Sequence, residues 1–195
     1  MSPKARSEDQ LSKEVARFFM RKLSASGLAD QIEARPKQQV LMNLTVGRDP
    51  KRGDWRYYFG LQQQDIVFRL KGENGILPLL EGQRQYHSLS AGQKQIQVPL
   101  VICELKINRT FVTHHLITYS RIAEQIRQVH PHCAYYFVVG GIGNRRLKPE
   151  TLLRQAKAFD RVYVDWEEER EIIWQDIANH LAYLRDRAGV IPNIE

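Results

Sequence analysis

Cysteine is scarce in this chain, and long apolar runs are missing. There are only 2 cysteines in 195 residues, Cys103 and Cys133, which excludes a disulfide-framework domain. They lack the close pairing of a zinc or redox motif, and both fall in or beside apolar segments, so two plain buried thiols are expected. The 6 histidines do not join them in a zinc pattern. No stretch approaches the roughly 20 apolar residues that span a bilayer, and no apolar secretory core opens the chain. A cytoplasmic protein with no membrane association is the expectation. Low-complexity tracts and fixed-period repeats are absent too, which excludes a solenoid.

What is present fits one ordinary globular core. Hydrophobic residues make up 43% and charged residues 26%, and the length suits a single domain over 1–195 rather than two. The net charge of +7 is unevenly spread. Residues 1–150 hold 23 Lys and Arg against 13 Asp and Glu, whereas residues 151–195 hold 6 against 9. The positive charge is therefore concentrated in the first three quarters of the chain, a distribution that suits a polyanion such as DNA.

Ser7 and Gln10 read as a capping box. Leu11, Val15, Phe18, Phe19 and Leu23 then recur at helical spacing up to Gly27, predicting an opening amphipathic helix. Strands are expected over Gln39–Val46 and Trp55–Leu61, joined as a hairpin by the polar turn Gly47–Asp54. A third is expected over Asp65–Leu70, with Ile66, Phe68 and Leu70 on one face and Asp65, Val67 and Arg69 on the other. Residues 71–97, rich in Gly, Gln and Ser, read as a long insertion. Val98–Ile107 is an almost unbroken apolar run, as in a strand covered on both faces. A helix over His114–Val129 ends at Pro131, and a buried strand follows over Ala134–Val139. A short helix over Pro149–Phe159, a strand over Arg161–Asp165 and a helix over Trp166–Arg187 complete the chain. This order predicts an α/β fold, a mixed sheet flanked by helices.

Within the Val98–Ile107 run stand two charged residues, Glu104 and Lys106. Two positions apart in a strand, they share a face and lie about 6.7 Å apart along it. Burying both costs several kcal/mol unless something compensates them. A divalent cation and a phosphate would do so. Magnesium uses one or two carboxylates and keeps waters and substrate phosphate in its other positions, so a second acid on a neighbouring strand is expected. Asp65, opening its own strand, is the best placed, with Asp54, Glu73 and Glu81 as alternatives. If the strands containing Asp65 and Glu104 pair, the two acids share one metal, and Lys106 orients or helps deprotonate an attacking water.

An acid opening one strand, Glu-x-Lys late in the next, a helix upstream and a helix then a strand downstream together resemble the PD-(D/E)xK nuclease superfamily, which includes type II restriction endonucleases. The resemblance covers about residues 8–140 as a catalytic core and leaves 149–195 as a helical extension. Gln64 stands where the family often has proline, and the 39 positions between Asp65 and Glu104 are more than the family usually shows. The resemblance implies a restriction-endonuclease-like fold and Mg²⁺ as cofactor, with Mn²⁺ substituting. It implies metal ligands Asp65, Glu104 and the Leu105 backbone carbonyl, with the helix residue Glu14 as a further one, and a water served by Lys106. It also implies a homodimer that hydrolyses double-stranded DNA. A structure-specific repair or recombination nuclease, and an inactive DNA-binding module of the same fold, are the alternatives.

DNA contacts are expected from three places. His114, Thr118, Arg121, Gln125 and Gln128 form a polar stripe on one helix face, with His114, His115 or Arg121 near the cleaved phosphate. The loops containing Arg48, Lys51 and Arg52, and Arg145 and Arg146, are basic and flanked by glycine, suited to clamping phosphate. Gly140-Gly-Ile-Gly reads as a strand-ending turn and not a dinucleotide fingerprint. His130-Pro-His132 reads as a polar connection, and Trp166, Trp174 and Tyr183 as packing residues.

Overall fold

Ser7 starts the first helix as predicted: its Oγ accepts from the Gln10 amide, and the Gln10 side chain accepts from the Ser7 amide, satisfying two otherwise orphaned donors. The computed structural model describes residues 7–48, 51, 53–78, 86–88, 95–107, 113–140 and 154–192. The helix, α1, spans Glu8–Ala25. It stops where Gly27 takes a left-handed φ of 73° and the Leu28 amide turns back to the Leu23 carbonyl, a conformation that glycine adopts without steric cost.

β1 (Ile32–Arg48) and β2 (Trp55–Leu70) then form a long antiparallel hairpin, in register from Ile32 opposite Leu70 to Arg48 opposite Trp55. This corrects two expectations. The segments Trp55–Leu61 and Asp65–Leu70 are one strand, because Gln62, Gln63 and Gln64 continue the ladder instead of breaking it. Gln64 is fully buried and its Oε1 accepts from the Tyr135 hydroxyl at 2.7 Å, so a residue type usually read as loop has its carbonyl oxygen satisfied inside, while Nε2 has no partner among the described residues. β1 also begins seven residues earlier than Gln39, running through Pro36. There it has β2 as its one neighbour among the described residues, since β5 meets β1 only at Val40. Sheets tolerate a missing N–H at such places.

Residues 71–97 are less of an insertion than expected. Their described parts include three short strands, β3 (Ile76–Pro78), β4 (Tyr86–Ser88) and β5 (Gln95–Gln97), all joined to the same sheet. β6 covers Val101–Ile107 and begins later than Val98. α2 (Thr113–Val129), β7 (Ala134–Gly140), β8 (Arg161–Tyr163) and α3 (Trp166–Asp186) follow. β8 stops short of Asp165 because that residue caps α3, accepting from the amides of Glu167 and Glu168. Most of the helix expected over Pro149–Phe159 lies outside the described residues; Arg154 and Gln155 are helical and a turn follows. The sheet order is β3-β5-β1-β2-β6-β7-β8, with β4 paired to β2. Pairing is antiparallel from β1 to β6 and parallel from β6 to β8. This is the mixed, helix-flanked α/β sheet that the sequence predicts.

The central strands are buried on both faces, as their apolar runs require. On one side α1 and α3 lay Leu11, Phe19, Trp166 and Ile177 against Ile66, Phe68, Cys103, Leu105 and Val138. On the other, α2 lays Leu116, Ala123 and Ile126 against Val67, Ile102, Phe137 and Val139. Cys103 and Cys133 are buried free thiols. The His130 ring meets the Leu41 carbonyl at 3.1 Å, in keeping with a polar connection. Trp166 is a core residue and Trp174 packs beside it, whereas Tyr183 is 52% exposed.

Phe19 links α1 to the sheet and to α3, edge-on to Phe68 at 5.0 Å and to Trp166 at 5.6 Å. Phe19→Ala is expected to cost about 3–5 kcal/mol, read as a lowered urea midpoint. A midpoint close to wild type would mean that the two helices are held to the sheet by other contacts.

Candidate active site

The sheet register brings the predicted acids together. β2 pairs with β6 through Ile66 and Cys103, Val67 and Ile102, and Phe68 and Val101; one further step along the antiparallel ladder sets Asp65 opposite Glu104. The same logic applied to β1, where Pro36 faces Ile66 and Gln38 faces Gln64, sets Lys37 opposite Asp65. Lys37, Asp65 and Glu104 therefore form a row across three adjacent strands, with Lys106 one same-face position beyond Glu104.

The side chains converge. Lys106 Nζ lies 3.0 Å from Glu104 Oε1, 3.8 Å from Asp65 Oδ2 and 3.8 Å from Glu8 Oε1. Asp65 Oδ2 accepts from the Leu105 amide at 2.9 Å, and Asp65 Oδ1 is paired with the Lys37 ammonium. Lys106 also lies 4.7 Å from the centre of the Tyr119 ring on α2, within cation–π range. Asp65, Glu104 and Lys106 are only 6%, 3% and 7% exposed. Such burial leaves little water to solvate the charges, so they depend on each other.

Burial, reinforced by the Asp65 carboxylate, raises the Glu104 pKa to about 8 against the opposing pull of Lys106 and Tyr119. Burial alone would push Lys106 down, but Glu104 and Asp65 outweigh it and hold the side chain as an ammonium. Tyr119 is raised to about 12 by burial and by Glu104, so its hydroxyl stays protonated. Glu104 Oε2 is buried and has no hydrogen-bond partner among the described residues. An acceptor left in this state costs about 1–3 kcal/mol, and a hard cation is the kind of ligand that would use it. The Leu105 N–H points to Asp65; because a strand residue's N–H and C=O face the same edge, its carbonyl is directed to that side as well. Among the described residues no group of three or more His, Cys, Asp and Glu side chains gathers as a metal cluster. The site thus offers two carboxylates and a carbonyl.

Other sequence candidates lie elsewhere. Asp54 precedes β2, eleven positions before Asp65. Glu73 follows β2 in a 3-10 turn, Gly72–Gly75, and Glu81 lies outside the described residues. Glu14 lines a groove between α1 and β1 with Glu33 and Arg35. The α1 glutamate that reaches Lys106 is Glu8, a residue that reads in the sequence as an ordinary first-turn acid. Arg48 donates to the Gly53 carbonyl at the hairpin tip, ten positions, or roughly 30 Å of strand, from Asp65. Lys51 is at the same tip, exposed, and Arg52, Arg145 and Arg146 lie outside the described residues. On α2, His114 and Arg121 are exposed and His115 is half-buried; His114 meets Thr118 Oγ1 at 3.4 Å. Sequence reasoning missed Lys37. The one signal available was a lysine just after Pro36, and nothing in the sequence reveals its positive φ of 54°.

The raised Glu104 pKa has a defined effect on stability. The folded state keeps the proton between the ordinary value of 4.5 and about 8, so the stabilisation from this group is complete below 4.5 and is lost as pH rises through 8. In cation-free buffer, the stability of wild type relative to Glu104→Gln is expected to be greatest near pH 5 and to shrink toward pH 8, measured by urea denaturation. A difference constant across that range would contradict it.

No protein-family model matches this chain, and no curated protein is significantly similar to it. Among solved structures, the native BbvCI A2B2 tetramer, determined at low resolution, is similar with a TM-score of 0.46 at 10% sequence identity. The likeness covers 77% of this chain and 60% of that one, so this chain spans less than two thirds of that chain's length.

Proposed function

We propose that the chain is a divalent-cation-dependent DNA endonuclease of the restriction type that hydrolyses phosphodiester bonds. The observation that carries this reading is the convergence of buried Asp65, Glu104 and Lys106 on adjacent strands, with one Glu104 oxygen unpartnered. The donor set fits Mg²⁺, or Mn²⁺ in its place: Asp65, Glu104 and the Leu105 carbonyl would hold it through hard oxygens, leaving positions for water and phosphate. Bound there, the ion would supply positive charge to the phosphate oxygens and acidify a water.

The chain's own groups do the positioning. Lys106, kept as an ammonium by its two carboxylate neighbours, donates hydrogen bonds from Nζ. It orients the attacking water toward phosphorus. Tyr119 closes the α2 side of the lysine and shields its charge from bulk water. One P–O ester bond breaks as the water oxygen bonds to phosphorus; the water gives up one proton to solvent and keeps the other on the new phosphate oxygen, and the departing oxygen takes up a proton from solvent. One such site cuts one strand, so cleavage of a duplex calls for two copies, most simply a homodimer.

Plasmid DNA incubated with Mg²⁺ is expected to be converted by wild type to discrete linear fragments, and Asp65→Ala, Glu104→Ala and Lys106→Ala are each expected to slow this by about 10²-fold or more. Failure of wild type across varied plasmid and genomic substrates, or variants as fast as wild type, would sink the proposal.

A further inference from the structure

We propose that the basic groove between α1 and the Glu33–Pro36 stretch of β1 seats the phosphate backbone of a DNA duplex and leads it to the Asp65–Glu104–Lys106 site. This rests on the nuclease reading and adds the path of the substrate.

α1 buries Leu11, Val15, Phe18 and Phe19 against the sheet and turns Lys13, Arg17 and Arg21 into the groove. These three cations recur at steps of four, about 6 Å of rise each, so they form a row along the helix. Arg35 and Lys71 stand on the opposite wall, over a floor that includes Ala16, Met20, Ala34 and Pro36. Basic rims over an apolar floor suit a polymer with charged phosphates and less polar sugar faces. The groove volume, about 1180 Å³, exceeds the usual range for small-molecule pockets, which favours part of a larger ligand.

The charge on this surface is available. Of the two acids in the lining, Glu33 is buried and already paired with Arg35 and Arg69, and Glu14 is half-buried with an interaction of its own. Lys13 is paired with Asp9 at 2.8 Å, but among the described residues Arg17, Arg21 and Lys71 take part in no ion pair. All three are exposed. By comparison, the α2 stripe of His114, Thr118, Arg121, Gln125 and Gln128 contains a single permanent cation.

The groove also ends in the right place. Pro36 lines it, and the next residue, Lys37, carries its ammonium onto Asp65. At the α1 N-terminus, Glu8 lies 3.8 Å from Lys106, so a backbone lying along α1 reaches the end of the site and passes round Lys37 to the acids, which stand on the opposite face of the sheet.

Binding of a fluorescein-labelled duplex in EDTA, followed by anisotropy from 50 to 300 mM KCl, tests this without requiring cleavage. Each phosphate contact contributes about 0.9 to the slope of log K against log salt. Arg17→Ala/Arg21→Ala is expected to reduce that slope by about 2, while Arg185→Ala/Arg187→Ala, which removes the same charge at the end of α3, leaves it near wild type. Arg17→Lys/Arg21→Lys is expected to keep most of the slope, and circular dichroism confirms that each variant is folded. An unchanged slope in the α1 variant, or equal losses in the two alanine pairs, would overturn the proposal, as would a wild type that binds no duplex. Salt-dependent binding through the α1 row by a protein that never cuts DNA would support the groove and reject the nuclease reading. Cutting by a protein whose α1 variants bind like wild type would do the reverse.

Discussion

Two carboxylates on neighbouring strands, buried almost completely, repel each other across a medium that screens poorly. That repulsion has to be answered within a few ångströms: two lysines answer part of it, and the proton that Glu104 keeps up to about pH 8 answers the rest. Lys37 takes one oxygen of Asp65, while Lys106 sits between Asp65 and Glu104. The arrangement depends on register. A slip of one residue between β2 and β6 would turn Glu104 and Lys106 to the face packed by α1 and α3 and would move Cys103 and Leu105 to the face covered by α2. The apolar contacts of both faces therefore hold the charged row in place, and the row in turn penalises any slip.

The change from antiparallel to parallel pairing at β6 belongs to the same logic. β6 has a long antiparallel partner on one edge, which brings Asp65 beside it, and a parallel partner on the other, reached through α2. The crossover helix therefore covers the face that carries the charges and places Tyr119 against Lys106. One connection thus supplies both the cover for the core and a wall of the site.

How much of this was legible in the sequence varied with the kind of signal. Glu104 and Lys106 stood out because strand alternation and an apolar surround make charged residues conspicuous. Asp65 followed from the expectation of a partner strand. The continuity of β2 was hidden by three consecutive glutamines, of which only Gln64 is buried, against a tyrosine 71 positions away. Lys37 was hidden because it follows a proline that reads as a break and because its role needs a left-handed backbone. Glu8 was hidden because a first-turn acid is commonplace; only the docking of α1 brings it to Lys106. The row of Lys13, Arg17 and Arg21 went unread, because cations at helical spacing are ordinary on a solvated helix face and the facing wall on β1 that makes a groove is a tertiary fact.

The net charge of the row of Lys37, Asp65, Glu104 and Lys106 depends on one proton. Below about pH 8 the buried Glu104 carboxyl keeps it, so two lysines face one carboxylate; above that pH two positive charges face two negative. On the nuclease reading, a cation held by Glu104 takes the place of that proton. Cation affinity therefore rises with pH, and the cation in turn draws the Glu104 pKa down, the two effects being equal by linkage.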